Sequence, residues 1–148
     1  MRFGKGLQLV NILRDLPADL RKGRCHIPAD SLATAGLTPN DLLSPDNEIK
    51  FRPLYNAYLD LAETHLAAGW EYTYLIWRRH VSLRLACAWP VLIGLETLQR
   101  LRVETILDPE QRVKVSREDV RSIIMSSLLR YPFKNSWKNL AAFSSEHR

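Results

Sequence analysis

Apolar side chains recur at three- and four-residue intervals along almost the whole chain, and no segment alternates convincingly between apolar and polar residues. The first spacing gives a helix one buried face, whereas strict alternation is what a half-buried strand needs. The pattern therefore predicts an all-α fold, a helical bundle. A first helix is expected from about Phe3 to Arg21, bent or broken at Pro17, which lacks a backbone donor. Ala29, Asp30 and Ser31 open a short helix that stops at Gly36, and GLTPNDLLSPDNE reads as a loop. A second long helix spans roughly Lys50 to Ala68 and ends at Gly69, with a separate helix from Glu71 to Arg79. Another runs from Ser82 to Val103, bent at Pro90. Ser116 to Asp119 resembles a capping start for a helix ending near Tyr131. Residues 1–130 form the expected domain, and 131–148 a polar, frayed tail.

The chain has 148 residues, 46% hydrophobic and 25% charged, which suits one folded domain with its own core. A net charge of +5 and a pI near 9.5 favour an anionic ligand, a membrane surface or nucleic acid without choosing among them. Cys25 and Cys87 lack metal-ligand spacing and are expected as free thiols in a reducing compartment. The apolar run at the start is too short for a signal peptide. The uncharged run Leu85 to Leu95 is about half the length of a membrane-spanning helix. A cytoplasmic chain is expected, with room for peripheral membrane contact. The first helix has no cap and its polar pattern starts almost at Met1, which hints at a missing N-terminal part.

On that helix, Gln8, Asn11, Asp15 and Asp19 share an arc of roughly 80° at about 100° per residue. Leucines flank the strip on one side, so it is narrower than the charged face of an ordinary surface helix. Two carboxylates a turn apart repel each other unless cations intervene, and hard oxygen donors so placed suit Mg²⁺ shared with phosphates. Residues 1–26 also hold six arginines and lysines against these two acids. The plainer reading is a pair of solvated acids bonded to Lys5, Arg14 or Lys22. Trp70, Tyr72, Tyr74, Trp77 and Trp89 could line an apolar cavity, but ordinary helix–helix core packing is the favoured reading. Arg78, Arg79 and His80 read as a solvated helix end. No catalytic triad, phosphate-cradling glycine loop or zinc spacing stands out.

The segment QLVNILRDLPADLRKGRCHIP resembles the second aspartate motif of the squalene/phytoene synthase family, approximately QxxNxxRDxxxD followed by a basic GR turn and an Ile-Pro step. Gln8, Asn11, Arg14, Asp15, Asp19, Gly23, Arg24, Ile27 and Pro28 fill it. Further on, GLETLQRL and QRVKVSREDVR are similar to the family's last helix and its RV-x-V-S-R turn. The resemblance implies an isoprenoid synthase fold, here partial, in which two aspartate-rich walls hold Mg²⁺ and the diphosphates of two prenyl substrates. It implies head-to-head prenyl transfer in isoprenoid biosynthesis, with NADPH needed only by squalene-forming members. It also implies Asp15 and Asp19 as catalytic acids, Asn11, Asp15 and Asp19 as metal ligands, and Gln8, Asn11, His26 and Arg112 as substrate contacts.

The chain departs from the family pattern in two ways. His26 stands where the family commonly has tyrosine, and its charge responds to pH. Nothing matches the first aspartate motif; Glu104 and Asp108 share its spacing but read as surface acids. The expectation is the C-terminal half of such an enzyme, with little activity alone and a need for its other half or for self-association. The alternative is a non-catalytic helical scaffold of the same descent. A nucleic-acid-binding module would show a basic face without a carboxylate strip, so no nucleic-acid partner is expected.

Overall fold

The protein is described by a computed structural model covering residues 2–108 and 113–143. Gly6, Val10, Leu13, Leu16 and Leu20 form a buried stripe along α1 (Arg2–Arg21). That stripe packs on α3 (Glu48–Leu75), and α4 (Val81–Val103) closes the triangle. The three helices converge at Leu66, whose side chain lies against both Gly6 and Gly94. A Cβ at Gly6 would sit 3.1 Å from the Leu66 backbone nitrogen, so this glycine permits the close approach of α1 to α3. Among the described residues there is no strand, which agrees with the all-α expectation.

Pro17 does not break α1. Its missing N–H leaves the Leu13 carbonyl without an intrahelical donor. The hydroxyl of Tyr55, a fully buried residue of α3, donates to that carbonyl at 3.1 Å. One tertiary hydrogen bond thus replaces the lost helical one, and the helix runs on through the motif. Past Arg21, Gly23 takes a φ of 72°, and Arg24 N–H and Gly23 N–H return to the carbonyls of Asp19 and Leu20 at 2.8 and 2.9 Å. This left-handed cap fixes the basic turn after the motif.

The short helix α2 (Ala29–Thr34) and two 3-10 turns, Asp41–Leu43 and Pro45–Asn47, lead into α3. The expected stop at Gly69 is overturned: α3 is continuous from Glu48 to Leu75, with no separate helix from Glu71 to Arg79. Gly69 is buried where the Phe3 ring crosses, so it serves packing and not termination. α4 likewise continues across Pro90. It is long and apolar enough to cross a membrane by length and composition, and half of that window is buried in the bundle, as in many core helices.

Ser116 caps α5 (Arg117–Arg130) in a reciprocal capping box with Asp119, as its sequence predicts. The frayed tail is corrected over the described part. Residues 134–143 form α6 (Lys134–Lys138) and α7 (Leu140–Phe143). The Trp137 side chain is 2% exposed and stacks on Trp70 at 5.3 Å, with Tyr131 edge-on at 5.1 Å. The buried guanidinium of Arg84 lies over the Tyr74, Tyr131 and Trp137 rings, a cation held by π faces. Arg78, expected as part of a solvated helix end, donates to the Tyr131 and Pro132 carbonyls and so ties the α3–α4 turn to the end of α5.

Candidate functional site: an aspartate beside a cationic groove

The core stripe of α1 sets where the polar strip points. With Val10, Leu13 and Leu16 turned toward α3, Gln8 and Asn11 are exposed, and Asp15 and Asp19 are half-buried. The described chain does not enclose the four side chains in one interior pocket. Of the four, Asp15 lines a groove of about 640 Å³ between the second half of α1, the second half of α4 and the segment after it.

The groove has an apolar floor from Ile93, Leu101, Ile106, Val113 and Val120. Arg14, Arg21, Lys22 and Lys114 line it together with Asp15, four cations against one acid. The far wall is held by the start of α3. Glu48 accepts from the Ile106 and Leu107 N–H groups at 3.1 and 2.8 Å, and Arg52 donates to the Leu101 carbonyl at 3.0 Å. This clamp fixes residues 104–107 opposite α1. Arg14 meets Asp15 as a two-pronged fork, both bonds 3.0 Å, and the carboxylate holds the guanidinium above its ordinary pKa. One turn on, the Asp19 carboxylate lies 3.4 Å from Nε2 of His26, an ion pair when the imidazole is protonated.

His26 thus stands beside Asp19 in the turn after α1, whereas Arg112 lies outside the described residues. The expected surface acids Glu104 and Asp108 are half-buried, and the Glu104 carbonyl accepts from Arg52. Of the aromatic candidates, Trp70 is in the core, Trp89 donates to Ser127 at 2.9 Å, Tyr72 and Trp77 are exposed, and none lines the groove. Sequence reasoning missed Lys114 and Thr97 as lining residues; the basic residue inside V-K-V was the available signal.

Among the described residues no three His, Cys, Asp or Glu side chains come together as a metal cluster. Asp15 and Asp19 on successive turns, with the Asn11 amide nearby on the helix, are instead the hard oxygen donors that Mg²⁺ accepts when phosphates and waters complete its shell. The donor set fits a metal shared with a diphosphate. It does not fit an all-protein cage.

The structure is thus an all-α bundle with one acid of the strip, Asp15, at the edge of a cationic groove. The family model for squalene/phytoene synthase matches residues 1–119, and the chain belongs to that family. It is 32% identical over 95 residues to a chloroplastic phytoene synthase of an Oncidium hybrid cultivar, covering 64% of this chain and 21% of the relative. It is 36% identical over 95 residues to phytoene synthase 2, chloroplastic, of Zea mays, covering 64% of this chain and 22% of the relative. Against 15-cis-phytoene synthase of Enterobacter agglomerans it is 37% identical over 63 residues, 43% of this chain and 21% of the relative. The chain thus spans about a fifth of the length of these curated relatives. No solved structure matches.

Proposed function

We propose that this chain supplies one wall of a head-to-head prenyltransferase site, binding the diphosphate end of a prenyl substrate together with Mg²⁺. The observation that carries the reading is Asp15 at the edge of a groove lined by Arg14, Arg21, Lys22 and Lys114 over an apolar floor. Such a surface accepts a charged head and a hydrocarbon neck at once. Asp15 and Asp19 would hold the metal, with Asn11 as a third oxygen donor and Gln8 toward the substrate. When bound, Mg²⁺ supplies positive charge to the departing diphosphate. Arg14 and Lys22 neutralise the remaining negative charge, and His26 can donate a hydrogen bond at the same end. The second acidic wall is contributed by polypeptide other than this chain, which explains why Gln8 and Asn11 face outward here.

The matched relatives are named for phytoene, which favours the C20 substrate, geranylgeranyl diphosphate, over farnesyl diphosphate. A non-metabolised analogue of each, added with Mg²⁺, is expected to raise the melting temperature of the chain. Asp15→Ala should remove that rise without lowering the ligand-free melting temperature. A second reading, a non-catalytic helical scaffold, draws on the exposure of Gln8 and Asn11 and on the in-chain partners of both acids. Absence of stabilisation at every Mg²⁺ level would favour it.

A further inference from the structure

We infer that the Glu48–Arg52 pair and Arg100 are positioning residues of the groove: without touching the ligand, they hold its far wall, and with it Lys114, where a diphosphate binds. This role rests on the groove being a diphosphate site and extends that site to residues behind it. Thr105, Ile106, Val113, Lys114 and Val115 line the wall, yet residues 104–108 and 113–116 belong to no helix. Their backbone groups have no ladder of their own, so their placement depends on partners from elsewhere.

Glu48 and Arg52, one turn apart at the start of α3, are the partners where α4 ends. Glu48 accepts from the Ile106 and Leu107 N–H groups, Arg52 donates to the Leu101 and Glu104 carbonyls, and the two side chains pair with each other. One ion pair thus satisfies four backbone groups with charge-assisted bonds. Leu101 and Ile106, 1% and 2% exposed, are the floor that those bonds hold in place. Arg100 is the partner on the side of Lys114. It donates to the Lys114 carbonyl at 3.2 Å and to the Asp119 carboxylate at 2.7 Å, and its Nε bonds Glu96 one turn back. Asp119 is itself fixed in the capping box with Ser116, so the Lys114 main chain is tied to α4 and to the start of α5. Glu48, Arg52, Arg100 and Asp119 do not line the groove. Each of the two arginines already faces a carboxylate of this chain, so its charge is neutralised from within. They act on a ligand only through the residues they hold.

The test is calorimetric titration of the full chain with a non-cleavable geranylgeranyl diphosphate analogue and Mg²⁺, at a temperature where circular dichroism shows each variant folded. Glu48→Ala should weaken binding roughly tenfold, of the order that losing an outer-shell partner costs a bound ion. Glu48→Gln keeps an oxygen acceptor for the two N–H groups and should recover most of that loss. Arg100→Ala should weaken binding about as much as Lys114→Ala, and the double variant no more than the weaker of the two, because Arg100 acts through Lys114. A purely structural role would lower melting temperatures and leave the affinity of the folded chain alone. Should Glu48→Ala fail to fold, Glu48→Asp, with a carboxylate one methylene too short for both N–H groups, takes its place. Wild-type affinity in the Glu48 and Arg100 variants, no recovery in Glu48→Gln, or losses that add with Lys114→Ala would overturn the positioning role. If binding is lost in Asp15→Ala but intact in those variants, the diphosphate site stands and only this role falls. No binding by wild type at any Mg²⁺ concentration would overturn both.

Discussion

At the scale of single residues, the motif helix depends on a side chain outside the motif. Tyr55 supplies the donor that Pro17 lacks, and burial pushes its phenol pKa well up, so it stays protonated and able to donate. Tyr55→Phe should cost about 1–2 kcal/mol in denaturant unfolding, because the buried Leu13 carbonyl is left unpaired. In a Pro17→Ala background the restored N–H can serve that carbonyl, and the cost should shrink; an unchanged cost would show that the two are not coupled. Asp119 makes a second case. Hydrogen bonds from Ser116, and then the Arg100 guanidinium at 2.7 Å, hold its carboxyl below the ordinary value. A carboxyl lowered on folding stabilises above its unfolded pKa, near 4, and loses that contribution as pH falls through the folded value. Asp119→Asn should therefore melt below wild type at neutral pH, with the gap closing toward pH 3. A gap constant with pH would contradict the assignment.

At the scale of elements, what could be read from the sequence was what is local. The capping box at Ser116, the Gly23 turn and the helical spacing of α1 are short-range patterns, and each appears in the structure. Breakers were less legible, because neighbours distant in the chain decide their effect. Pro17 is tolerated through Tyr55, and Gly69 is spanned because Phe3 packs on it. The C-terminal helices were illegible for the same reason: Trp137 looks like a lone aromatic in a polar run until Trp70 and Tyr131 are placed beside it. Trp137→Ala should cost about 3–5 kcal/mol by the usual scale for a buried tryptophan. A frayed tail predicts almost no change, so denaturant unfolding separates the two. The groove was half legible. Arg14, Arg21 and Lys22 stood out beside the acids, but its far wall depends on the Glu48 and Arg52 clamp, which no local pattern announces.

At the scale of the whole molecule, α1 is a wall with two functional borders: a core face toward α3 and a strip that ends at the cationic groove. The chain covers about a fifth of its curated relatives, and the strip is open on its outer side, so affinity for a diphosphate is a more direct probe than turnover. The two acids are expected to take up a divalent ion only when a diphosphate completes its shell. Mn²⁺, an oxygen-seeking ion with a spectroscopic signal, can stand in for Mg²⁺. Titrating Mn²⁺ into the chain with a geranylgeranyl diphosphate analogue, and reading free ion by electron paramagnetic resonance, tests this directly. Uptake is expected with the analogue present, little without it, and none above that of the free analogue in Asp15→Ala or Asp19→Ala. Uptake in wild type no greater than that of the analogue alone, or equal uptake in the variants, would contradict the assignment of this helix as a metal–diphosphate wall.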